Sequence, residues 1–323
     1  WGVLDYLAED NRLDIKAITA TSAGAMNAVA FAAGLHAGGP DGARASLRAF
    51  WKSISDHGAP VSAMQNSTPP APGGALNPLN YFTPFNMAAA ISTIASPYDL
   101  NPFDYNPLRD AVRQTVDFEA VRAAPVELHL AATNVNSGRV RVFAGDEVTL
   151  DAVLASACLP QTFKAVEIDG QSYWDGGYLG NPSLFPLIYS KAPKDIVLVT
   201  LNPIARERTP RTAPEIQDRM NEISFNAALV SELRAIAFVQ KLLDEDWLAD
   251  LARRRYRKMH LHVVSGGSAL VDETLESKFD TRWSHLTRLR DRGRDLARHW
   301  LETNWRDVGK RSTIDLRSEF LGT

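Results

Sequence analysis

Apolar positions change period repeatedly along this chain, and the changes mark its elements. Val3, Leu4 and Leu7 share one helical face, while Ile15, Ala17 and Ile18 form a short stretch that predicts a buried strand. Ala23 to Leu35 is an almost unbroken run of small apolar residues. It predicts a buried helix, closed by Gly34 and the pair Gly38 and Gly39. Ala43 to Asp56 then spaces Leu47, Phe50, Trp51 and Ile54 as one face of an amphipathic helix. Further strands are expected over Val126–Thr133, Arg139–Phe143, Asp195–Leu201 and Met259–Val264. Helical spacing occupies Leu108–Thr115, Asp151–Cys158, Pro214–Leu251 and Trp283–Trp305, with Pro214–Leu251 expected to break into two helices. The alternation predicts an α/β fold, a mostly parallel sheet with helices on both faces.

One region departs from both periods. Gly58 to Pro107 is rich in proline, asparagine and aromatic residues and poor in charge. So many aromatics fit poorly with disorder, and the segment reads as a lid-like insertion packed on the domain. With no internal repeat and no obvious linker, residues 1–323 are expected to form a single domain, in which 206–323 is a mainly helical C-terminal part packed on the core.

Composition narrows the function. Lysine and arginine number 35 against 38 acidic residues, a net charge of −3, so no basic excess exists to displace counterions from a nucleic acid. The single cysteine, Cys158, permits no intrachain disulfide and no thiolate metal cluster. No apolar run reaches the roughly 18–20 residues needed to span a bilayer. The opening "WGVLDYLAED" reads as a helix without an N-cap, so residues before Trp1 are expected, and a leader peptide stays open.

The junction "DIKAITATSAGAMNAVA" carries the candidate chemistry. A serine becomes a nucleophile when it is exposed, has a base to take its proton and has donors for the oxyanion. A sharp strand-to-helix turn lifts the hydroxyl clear of the sheet and tolerates only small neighbours, the reason for the G-x-S-x-G pattern. Here the five residues are Ala20-Thr21-Ser22-Ala23-Gly24, with alanine in place of the first glycine. That replacement fits if the backbone at Ala20 keeps φ below zero. The helix that follows directs free N–H groups toward the hydroxyl. Close packing or phosphate binding would also place small residues at such a junction. Asp175-Gly176-Gly177, in "SYWDGGYLGNPSL", reads by itself as a turn.

Taken in order, "ATSAGAMNA", "SACLPQTF" and "IDGQSYWDGGYLGNPSL" resemble the patatin-like phospholipase family over roughly residues 1–205. The family's second motif, Asp-Gly-Gly, follows an Ala-Ser-x-x-(Ile/Leu)-Pro-x-x-Phe segment, which here is Ala155 to Phe163. The resemblance implies a three-layer α/β/α patatin-like fold and a Ser–Asp dyad, with Ser22 as nucleophile and Asp175 as general base. Ala20, Thr21, Ala23 and Gly24 would complete the nucleophile turn, and Gly176 and Gly177 the Asp-Gly-Gly motif. It implies a lipid ester substrate, an acyl-enzyme, and neither cofactor nor metal. The family's glycine-rich oxyanion loop precedes a helix like "WGVLDYL" and would lie upstream of Trp1. The expected setting is the cytoplasm with transient membrane-surface contact; secretion and oligomeric state stay open. Two alternatives remain: a lipid-binding or regulatory module on the same fold, and a Ser–His acyltransferase on a related one.

Other features have ordinary readings beside sharper ones. The seven histidines include His260 and His262 on one strand face, either a satisfied pair or two metal ligands. The run Arg253 to Lys258 reads as a solvated helix end or a contact for anionic head groups. Trp283–Trp305 places Leu286, Leu289, Leu296, Trp300 and Leu301 on one side, the pattern of a core-docking helix. Tyr81, Phe82, Phe85 and the run Met87–Ile94 suit either core packing or a surface for an acyl chain.

Overall fold

The computed structural model describes residues 1–66, 95–189, 193–245, 247, 256–270 and 280–320. The first helix, α1 (Gly2–Asp10), ends on left-handed Asn11 and leads to strand β1 (Ala17–Ala20). Directly after β1 comes α2 (Ala23–Asn66), two helical halves meeting at a kink where Gly38 and Gly39 leave helical geometry. Gly39 has φ +62°, a conformation that glycine adopts without strain. The halves fold back so closely that a side chain on Gly34 would overlap the Gly42 carbonyl. Leu47 and Phe50, predicted as the amphipathic face, are fully buried.

After two short helices, α3 (Pro97–Leu100) and α4 (Pro107–Thr115), helix α5 (Phe118–Arg122) opens on Asp117, whose side chain accepts from Glu119 and Ala120. Strands β2 (Glu127–Asn134) and β3 (Arg139–Ala144) follow, then α6 (Leu150–Ser156), β4 (Val166–Ile168) and β5 (Gln171–Asp175). These strands and β1 form one sheet in the order β1-β2-β5-β4, with β3 also pairing β2. Helix α7 (Phe185–Tyr189), strand β6 (Asp195–Thr200), the long α8 (Ala213–Asp244), β7 (His260–Ser265), α9 (Trp283–Asn304) and α10 (Leu316–Phe320) complete the chain. Strands β6 and β7 form a second, two-stranded sheet.

The α/β class holds, and the mostly parallel expectation is corrected in part. Pairings β1–β2 and β6–β7 are parallel, whereas β2–β3, β2–β5 and β4–β5 are antiparallel. The reason is connection length. Only the turn around Gly138 separates β2 from β3, and Asp169-Gly170, both at positive φ, separates β4 from β5; parallel neighbours need a longer crossover. Two further points concern helices. The first nine residues of the predicted insertion, 58–66, are helical, because α2 continues through Asn66, and residues 67–94 lie outside the described residues. Within the 214–251 pattern, α8 runs unbroken from a Thr212–Glu215 capping box to Asp244 and is capped at Glu245; residues 246 and 248–251 lie outside the described residues. Tyr81, Phe82, Phe85, Met87–Ile94 and Arg253–Arg255 lie outside the described residues.

His260 and His262 both meet Asp195 Oδ1, at 3.3 and 3.0 Å, and the Gly309 N–H donates to the same oxygen at 2.8 Å. They are a satisfied pair tying β7 to β6. Helix α9 buries Leu286, Ala297, Trp300 and Leu301, the core-docking role read from its pattern. Among the described residues no helix is long and apolar enough to cross a membrane.

Candidate active site

Strand β1 ends at Ala20, α2 begins at Ala23, and the two residues between them make the turn. Ser22 takes it in the left-handed region at φ +56°. A serine rarely adopts that conformation, which costs about 1–2 kcal/mol and persists where surrounding bonds fix it. The helix starts at once: Gly24 N–H donates to Thr21 O at 2.8 Å and Ala25 N–H to Ser22 O at 2.9 Å. Ala20 is not among the residues with positive φ, the condition under which alanine can replace glycine there. Gly24 faces the Ala20 side chain with room to spare, since a Cβ on it would sit 3.7 Å from Ala20 Cβ.

Asp175 ends β5 and is fully buried. Its backbone is fixed on two sides: the N–H donates to Cys158 O at 2.8 Å, and the carbonyl accepts from Thr133 Oγ1 at 2.9 Å. Its side chain caps the next turn, Oδ1 accepting the Gly177 N–H at 2.7 Å. Both glycines are required by space. A side chain on Gly176 would overlap the Ala131 carbonyl, and one on Gly177 would strike the Phe225 ring. The loop beyond is stitched to β1, with Thr21 Oγ1 donating to Gly180 O at 2.5 Å and Thr19 Oγ1 to Ser183 O at 2.7 Å.

Ser22 and Asp175 thus come together. Burial pushes the Asp175 carboxyl up to about 6, and the Ser22 hydroxyl and Gly177 N–H pull against that rise. Asp175 Oδ2 stays buried with no strict partner among the described residues. Catalytic contacts are often this loose before substrate arrives and tighten in the complex. Tyr178 borders the site, its ring 5.5 Å from that of Phe225 on α8. Burial raises its phenol pKa, and a bond with Gln161 opposes the rise.

Every predicted site residue, from Ala20 to Gly24 and from Asp175 to Gly177, falls in this one place. No histidine is found among the bonding partners of Ser22 or Asp175 within the described residues. Sequence reasoning passed over Thr19, Thr21 and Thr133 as clamps, although hydroxyls at three strand-end positions were a signal for them. It also gave Ser156 no role, yet Ser156 Oγ accepts the Ser22 N–H at 3.0 Å.

Comparison with known proteins agrees with this picture at the level of family. The crystal structure of VipD from Legionella pneumophila is similar at 15% identity with a TM-score of 0.38, over 94% of this chain and 64% of that one. The chain therefore spans less than two thirds of that structure. No curated protein matches. The family model described as patatin-like phospholipase matches residues 1–188, more than half of the sequence. This chain belongs to the patatin-like phospholipase family.

Proposed function

We propose that the protein is a serine acyl hydrolase that cleaves fatty-acyl esters of phospholipids or related lipids. The observation that carries the reading is Ser22, strained at φ +56° on the strand-to-helix turn, with its hydroxyl acting on a buried carboxylate whose Oδ2 has no hydrogen-bond partner among the described residues. Asp175 takes the hydroxyl proton as Ser22 Oγ attacks the ester carbonyl, and it returns that proton to the leaving alkoxide as the C–O bond breaks. An acyl-enzyme remains. Water then attacks it, losing a proton to the same carboxylate, and the fatty acid leaves as Ser22 Oγ is reprotonated.

An aspartate at its ordinary pKa of about 3.9 is a weak base, and burial brings Asp175 closer to the range a base needs near neutrality. The N-terminal end of α2 favours the negative charge that develops on the carbonyl oxygen. Its first N–H, that of Ala23, finds no backbone acceptor among the described residues and suits an oxyanion donor.

A fluorophosphonate probe tests the reading. Labelling should occur in the wild type and vanish in Ser22→Ala, and Asp175→Asn should lower phospholipid or lysophospholipid hydrolysis by about 10³-fold or more. Wild-type rates in Asp175→Asn would remove the aspartate from the mechanism. A full-length protein that neither labels nor hydrolyses any lipid ester would leave a lipid-binding module instead.

A further inference from the structure

The backbone strain at Ser22 needs a cause, because nothing in a left-handed serine holds itself. Its N–H is shared between two acceptors of one residue: Ser156 Oγ at 3.0 Å and Ser156 O at 3.1 Å. Ser156 is fully buried, 134 positions away, and is the last residue of α6. Two residues on, Cys158 O accepts the Asp175 N–H at 2.8 Å. The carbonyls at a helix end have no partner inside the helix. Here they are spent on the two halves of the candidate dyad.

We propose that Ser156 is a positioning residue whose hydroxyl oxygen, by accepting the Ser22 N–H, fixes the nucleophile against the Asp175 carboxylate. The inference rests on the Ser22–Asp175 reading above. Any residue at this position would offer the carbonyl; only the hydroxyl oxygen is particular to serine. An N–H held by both acceptors cannot rock about either. With one removed, the Ser22 peptide can relax toward an unstrained φ, and that rotation swings the hydroxyl away from Asp175. Ser156 touches no reacting atom, and its effect is on geometry alone.

The test compares Ser156→Ala and Ser156→Thr with the wild type, using fluorophosphonate labelling rates and hydrolysis of a soluble acyl ester from pH 5 to 8. Ser156→Ala should label and turn over about tenfold more slowly, with KM within about twofold. Its acid limb should move to higher pH, because the Ser22 hydroxyl lowers the Asp175 pKa and would then no longer do so. Ser156→Thr keeps an acceptor and should recover most of the rate. A Ser156→Ala enzyme with wild-type labelling and an unmoved limb overturns the proposal. If the threonine methyl prevents folding, the alanine variant decides alone. If the wild type itself neither labels nor hydrolyses, the hydrolase reading fails, and exchange of the Ser22 amide proton decides the tether. Exchange at least threefold faster in Ser156→Ala upholds it, and equal protection overturns it.

Discussion

At Asp175 burial and hydrogen bonding pull in opposite directions, and pH will expose the balance. The carboxyl is pushed up to about 6 by burial, against the Ser22 hydroxyl and the Gly177 N–H. A base must be ionised, so kcat/KM should fall as pH drops, with an apparent midpoint near 6; a flat profile down to pH 4.5 would show that another group does the work. The same shift sets a stability trend of opposite sense. A carboxyl whose folded pKa lies above its unfolded value favours folding at low pH, and that contribution is lost as pH rises from about 4 through 6. Asp175→Asn removes the ionisable group while its oxygen can still accept from Gly177. The variant should therefore be more stable than the wild type at pH 8, by up to about 3 kcal/mol, with the difference vanishing near pH 4. Urea unfolding at the two pH values reads this directly. The glycines divide in a similarly testable way. Gly24→Ala should fold and keep activity within about threefold, because its Cβ meets only Ala20 at 3.7 Å. Gly176→Ala should cost about 3 kcal/mol or more, since its Cβ would overlap the backbone carbonyl of Ala131. Equal melting temperatures for the two would contradict that account.

Elements show which parts of the structure a periodicity can reveal. The helical hairpin of α2 was legible because Leu47, Phe50 and Ile54 repeat at helical spacing and Gly38-Gly39 breaks the run. Its tight approach was not, because the Gly34–Gly42 contact depends on how two faces meet in space. Gly34→Ala should force the halves apart and lower unfolding free energy by about 1–3 kcal/mol, while Gly39→Ala should lose stability through its φ of +62° alone. Circular dichroism melts of the two variants read both losses, and a melting temperature equal to that of the wild type in either would contradict its account. The β4–β5 hairpin escaped the hydrophobic pattern because strands of three and five residues hold too few alternations. Its Asp169-Gly170 turn was nevertheless written in the sequence. The dyad was legible as a pair of motifs, and its support was not. The acceptors that seat Ser22 and Asp175 are mostly carbonyls, which any residue carries and no sequence pattern marks.

On the scale of the molecule, most of the buried apolar residues among those described fall into three clusters, and the site lies between members of the first two. One cluster runs from Ala8 to Tyr173 and holds β1, β2 and both halves of α2. A second gathers Leu184 to Leu316 around β6, β7 and α8, almost all of it beyond the family-matched residues 1–188. Two contacts from α8 reach back to the Asp175 loop. Phe225 covers Gly177 and Tyr178 and accepts from Asn181 Nδ2 at 3.2 Å. Glu232 Oε2 accepts the N–H groups of Leu184 at 2.6 Å and Phe185 at 3.1 Å. A carboxylate that satisfies two backbone donors at once leaves both unpaired when truncated, at a cost of about 1–3 kcal/mol. We therefore propose that the chain unfolds as one unit, the expectation drawn from the absence of a linker. Glu232→Ala should shift the urea transition of the whole protein, with tryptophan fluorescence and far-ultraviolet circular dichroism moving together and staying coincident. Were the part beyond residue 188 a separate domain, the two probes would part company in the variant, and the fluorophosphonate reaction at Ser22 would survive the first transition. Coincidence, with labelling lost in the same step, would mean that the helical C-terminal part stabilises the Asp175 loop.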